Sequence, residues 1–82
     1  MMTDWTTYNL AGLAAAIRAD WKKVYFGAVP YLDAMSALDN VEQTYGADDA
    51  RGIVAYFLAN ANGWRGETAR AVKAELKRRV KS

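Results

Sequence analysis

Apolar residues return at every third or fourth position through one stretch of this chain after another, a spacing that an α-helix gathers onto one side. Ala50, Ile53, Val54, Phe57, Leu58 and Ala61 give the cleanest stripe. With Asp48 as N-cap and Asp49 at the positive end of the dipole, it predicts a helix over residues 48–61, stopped by Asn62-Gly63. Leu10, Leu13, Ala14, Ile17 and Trp21 predict another over 9–20, with Asn9 as its cap. Val24, Tyr25, Ala28, Val29, Leu32, Met35 and Leu38 predict one over 22–38, and Pro30 falls inside it. In a helix interior that ring clashes with the carbonyl of Phe26 and removes a hydrogen bond, at about 3 kcal/mol, so a kink or break is expected at 27–30. Alternatively Pro30 stands in the first turn of a separate helix, 29–38, where its missing N–H costs nothing.

Asp39 and Asn40 offer cap chemistry for a short helix at 41–45, which Gly46 would end in a left-handed conformation. Ala69, Val72, Leu76 and Val80 form the buried stripe of a final helix over 64–80. The expected fold is therefore all-α: a compact four- to five-helix single domain covering 1–82.

A domain of 82 residues buries only roughly 60–65% of the surface it exposes when unfolded, and such a core seldom gives more than about 3–5 kcal/mol. Without cysteine there is no disulfide to help. Helix packing or self-association must supply the stability, and the large aromatic side chains suit that demand, since the tyrosines can bury a ring while keeping the hydroxyl wet. On the first helix, Gly12, Ala15, Ala16 and Ala19 fall together opposite the main stripe. That face is expected in the core, with a homodimer contact as the alternative to a monomer.

The charge is segregated. Between Gly63 and Ser82 stand Arg65, Arg70, Lys73, Lys77, Arg78, Arg79 and Lys81 against Glu67 and Glu75, about +5, whereas the rest of the chain is about −3 and the whole is +2. Arg70, Lys73, Lys77 and Lys81 share one arc of the final helix with Arg78 at its edge, and Glu75 precedes Arg79 by four residues, the favourable order for an ion pair. Trp64, Arg65, Arg70, Lys73, Lys77, Arg78 and Lys81 are the candidate partner-binding residues. For Trp64 the competing reading is a hydrophobic plug at the helix start.

Catalysis finds little support. There is no histidine and no cysteine, which removes the commonest general base and the soft metal ligands, so no catalytic residue, metal or cofactor is assigned. Asp39, Glu42, Asp48 and Asp49 gather around Gly46, but helix capping explains them. Counted from Asp39, the segment lacks the ligand spacing of a calcium loop, and Gly63 and Gly66 lack that of a phosphate loop. The uncharged run 5–17, which no other exceeds in length, is too short to cross a bilayer, where about 20 apolar residues are needed, so no membrane partner is expected. No Lys or Arg precedes Arg18, unlike a secretory signal, and a cytosolic location is expected.

Two helices joined by a turn containing Gly63, the second of them basic, have the outline of a helix-turn-helix. Ala59 would be the small residue of its first helix, Ala69 and Val72 would be buried, and Arg65, Thr68 and Arg70 would face DNA; Asn62, where such motifs bury an aliphatic, departs from the pattern. Residues 24–32 (Val-Tyr-Phe-Gly-Ala-Val-Pro-Tyr-Leu), the turn from Tyr45 to Asp48, and Phe57 to Ala61 followed by Trp64-Arg65-Gly66-Glu67 are similar to small uncharacterised proteins encoded by actinobacterial phages. The resemblance covers about 21–78 and carries no activity with it. It implies an accessory protein that binds a host macromolecule in the host cytosol. The expected function is binding to a protein partner through the basic helix, with DNA binding and self-associating assembly as alternatives.

Overall fold

Asn9 opens the first helix, α1 (Leu10–Asp20), by accepting the Gly12 amide on its side-chain oxygen at 2.7 Å. In the computed structural model, which describes residues 3–81, there follow α2 (Val29–Met35), a two-stranded antiparallel pair β1 (Thr44–Tyr45) and β2 (Asp48–Asp49), α3 (Ala50–Ala59) and α4 (Glu67–Lys81). Met1, Met2 and Ser82 of the domain expected over 1–82 lie outside the described residues. Single 3-10 turns at Trp5–Thr7 and Phe26–Ala28 lead into α1 and α2. The fold is a small helical domain.

Leu10, Leu13, Ala14 and Ile17 of α1, Leu32 and Met35 of α2, Ile53, Val54 and Phe57 of α3, and Ala69, Val72 and Leu76 of α4 build one core. α1 and α3 each pack against both α2 and α4, which leaves α2 and α4 on opposite flanks. The first amides of α1 have no partner within their own helix. Leu10 and Ala11 donate them to the carbonyls of Asp39 and Leu38, both at 2.9 Å, fastening the segment after α2 to the start of α1. Trp21 stacks on Trp64 at 6.0 Å between centroids and meets Phe57 edge-on at 6.4 Å. The indole N–H of Trp64 donates to Asp20 at 2.8 Å, so a ring only 2% exposed keeps its polar atom satisfied.

Several expected elements are corrected. Of the two readings of 22–38, the structure adopts the second, a separate helix from Val29 with Pro30 in its first turn, where the absent N–H would have been unpartnered in any case, but it ends at Met35 and leaves 22–25 outside any helix. The short helix at 41–45 is absent. The Gln43 side chain accepts the amides of Asp39 and Asn40, and Asn40 accepts that of Glu42, so side chains turn the chain where helix bonds were expected. Thr44 and Tyr45 then pair with Asp49 and Asp48. Gly46 does adopt positive φ, +63°, but as a link of this hairpin, a position that disfavours residues carrying a Cβ. Asp49, not Asp48, caps α3, taking the Gly52 amide at 2.6 Å.

The small-residue face of α1 is not in the core. Ala15 and Ala19 are exposed and Gly12 and Ala16 only half-covered, because α2 and α4 both pack on the larger aliphatics opposite and alanine gains little from burial. Nor are all the aromatic rings inside: Tyr8, Tyr25, Phe26, Tyr45 and Tyr56 are exposed.

Trp64→Ala removes the largest fully buried side chain together with its stack on Trp21. Urea unfolding followed by far-UV circular dichroism is expected to show a loss of about 3–5 kcal/mol, most of the stability available to a domain of this size.

Candidate functional site

α4 begins later than its apolar spacing predicts. Residues 60–66 form an irregular connection in which Asn60 ends α3 and Gly66, at φ +115°, turns the chain into α4 through a conformation that side chains resist. This excursion lets Trp64 point into the core while Arg65 faces solvent. Trp64 is thus a plug and presents no surface to a partner.

The basic residues divide into two groups. Lys73 lies half-buried over the Trp64 ring, its ammonium 5.8 Å from the centroid, and donates to the carbonyls of Ala61 and Trp64 at 2.7 and 2.6 Å. The Ala61 carbonyl also accepts the Trp64 amide at 3.0 Å, whereas the Trp64 carbonyl, on a backbone that has left its helix, takes the ammonium as its partner. Burial, then the charges of Lys77 and Arg65, hold the Lys73 ammonium below the usual lysine pKa. Arg78 and Arg79 close on Glu75, a carboxylate only 7% exposed on the buried side of α4. Arg79 also donates to the carbonyls of Trp5 and Thr6, tying the N-terminal turn to α4. From α3, Arg51 donates at 3.0 Å to the carbonyls of Arg79 and Val80, two of the last unpartnered acceptors of α4.

Arg65, Arg70, Lys77 and Lys81 remain. All four are exposed, and none enters an intramolecular ion pair among the described residues. Arg65 and Arg70 line a shallow groove of about 310 Å³ with Gly66, Ala69 and Lys73, above the buried Trp64. Within α4, Arg78 and Arg79 occupy Glu75, and Glu67, exposed in the first turn near Arg65 and Arg70, enters no ion pair among the described residues. The exposed arc therefore carries a net positive charge, with Glu67 at its N-terminal end. Of the seven candidate residues, Trp64 is buried, Lys73 is half-buried with its ammonium on backbone carbonyls, Arg78 is engaged with Glu75, and Arg65, Arg70, Lys77 and Lys81 are exposed.

The outline of a helix-turn-helix acquires no matching geometry. Ala59 is exposed instead of packed between helices, and residues 60–66 replace the tight turn. Among the described residues, no helix is long and apolar enough to cross a membrane, and no group of His, Cys, Asp or Glu is placed to hold a metal ion. The aromatic surface, with Phe26 at 79% exposure, escaped sequence reasoning because large rings were expected to stabilise so small a core, although Phe26 and Tyr56 fall outside the apolar stripes. Adjacent Tyr25-Phe26 just before Gly27 and Pro30, where regular structure had to stop, was the available signal. The chain matches no protein-family model, no curated protein and no solved structure.

The hydrogen bond from Arg78, then that from Arg79 and both their charges, outweigh burial and lower the Glu75 carboxyl from 4.5 to about 2. Its stabilising effect is complete above the ordinary carboxylate pKa and is lost as pH falls towards about 2. Glu75→Gln is expected to cost about 1.5–3 kcal/mol at neutral pH and to flatten the decline of stability across that acid window, measured as urea midpoints at a series of pH values.

Proposed function

We propose that this is a non-catalytic binding protein that engages an acidic surface of a protein partner through Arg65, Arg70, Lys77 and Lys81. The observation that carries this reading is the division of the cations. The fold uses Lys73, Arg78 and Arg79 to satisfy its own carbonyls and its buried carboxylate, and leaves four neighbouring charges with no internal role. Such a field steers an oppositely charged partner and fixes orientation more than it sets final affinity. The resemblance to small phage proteins points the same way, towards an accessory factor acting on a host protein in the cytosol.

A protein partner is favoured over DNA because α3 and α4 lack the tight connection that presents a recognition helix. Charge reversal at Lys73 would confound any test, since its ammonium holds the α3–α4 connection. Arg65→Glu, Arg70→Glu and Lys77→Glu combined alter the exposed arc alone. In affinity capture from a cell lysate treated with nuclease, the native protein is expected to retain a protein partner at low salt and to release it as ionic strength rises. The triple variant, folded by circular dichroism, is expected to lose it. Equal capture by both, or disappearance of every partner on nuclease treatment, would refute the proposal.

A further inference from the structure

On the flank away from α4, a groove of about 820 Å³ runs between α2, the β1–β2 hairpin and α3. Its apolar base is Ala34 and Ile53, both buried. Tyr31 and Tyr56 stack along it, centroids 5.5 Å apart and planes at 24°. Tyr45 and Tyr56 present their rings to solvent, 47% and 61% exposed. Asp49 on the rim is occupied in capping α3, whereas Asp48 has no intramolecular side-chain partner among the described residues. Among the described residues no lysine or arginine lines the groove, so its potential is negative while that of α4 is positive.

We infer that this groove binds an extended, proline-rich peptide that carries arginine. Its polar groups are tyrosine hydroxyls, which can donate, and carboxylates, which only accept. A polyproline II segment offers a complementary surface: outward carbonyls to take the hydroxyl hydrogens, few N–H groups to leave unpaired, and pyrrolidine faces that pack on aromatic rings. An arginine in that segment meets the unengaged Asp48 as a planar donor and can lie over a tyrosine face. The low flexibility of such a peptide suits an open groove, because little ordering entropy is lost on docking. A second copy of this chain cannot supply the ligand, since its one proline, Pro30, itself lines the groove. This inference is independent of the cationic arc, and its test reads the groove alone.

The test is an amide-resonance titration of the full-length protein with a synthetic peptide repeating Pro-Pro-Arg. Saturable shifts are expected at Tyr45, Ala47, Gly52 and Tyr56, with none at Arg70 or Lys77. Tyr56→Ala should weaken binding by about tenfold or more. That variant also loses the Tyr31 stack, so Tyr45→Ala, whose ring pairs with no other, provides a second variant and should weaken binding by about fivefold or more. A matched peptide with glutamate in place of arginine should bind about tenfold more weakly, because Asp48 would then face a like charge. Absence of saturable shifts, equal affinity for the two peptides, or unchanged affinity in both tyrosine variants would overturn the inference. Movement of the same resonances on concentrating the protein without peptide would also overturn it, by assigning the groove to self-association.

Discussion

The indole of Trp64 is where the end of α1, the α3–α4 connection and α4 meet. It stacks on Trp21, donates to Asp20 and lies beneath the ammonium of Lys73, which in turn holds the carbonyls of Ala61 and of Trp64 itself. Turning this ring inward requires the backbone to leave the helical path, and that takes from the Trp64 carbonyl the amide a continuous helix would have supplied, while the Ala61 carbonyl keeps the Trp64 amide. Lys73 satisfies the Trp64 carbonyl and adds a second bond to that of Ala61. The stacked ring and the capped carbonyls depend on each other, so removing either exposes the other to the full cost of an unmade hydrogen bond or an unfilled volume. The same excursion places Arg65 outside, next to Arg70, and thereby shapes the cationic surface.

Charge in α4 consequently has two roles that sequence position does not separate. Lys73 and Lys77 stand one helical turn apart, yet the first is partly covered by the α3–α4 connection and the second is exposed. Glu75 is buried on the side where Arg79 reaches the N-terminal turn, and its carboxylate is tolerable there because two guanidinium groups supply hydrogen bonds as well as charge. What remains outside is an arc of net positive charge, with the exposed Glu67 at its N-terminal end. On the other flank the acidic, aromatic groove has the opposite character. A domain this small thus presents two chemically distinct faces, separated by a core formed by all four helices.

Much of this was legible from local pattern. The stripes Leu10, Leu13, Ala14, Ile17 and Ala50, Ile53, Val54, Phe57 are buried as their spacing predicts, because an aliphatic face on a short helix has nowhere else to go. Trp64 as a plug and the Glu75–Arg79 pair were also readable, the second because both partners lie on one helix. The hairpin was not. Asp39, Asn40 and Gln43 carry the side chains that cap helices, and whether such groups start a helix or close a turn was decided by distant bonds, from Leu10 to Asp39 and from Ala50 to Gln43. The exposed rings of Phe26 and Tyr56 and the embedding of Lys73 were equally hidden, since both depend on which neighbours the tertiary fold brings near.

The central claim is that the cations of α4 divide into those the fold consumes and those it leaves for a partner. Paired urea unfolding curves test it most directly, because two double variants can remove the same amount of charge. Lys73→Gln with Arg79→Gln should lower stability by about 2–4 kcal/mol, through an orphaned Trp64 carbonyl and an under-satisfied Glu75. Arg70→Gln with Lys77→Gln should stay within about 0.5 kcal/mol of the native protein. Equal losses in the two, or a larger loss in the second, would contradict the division.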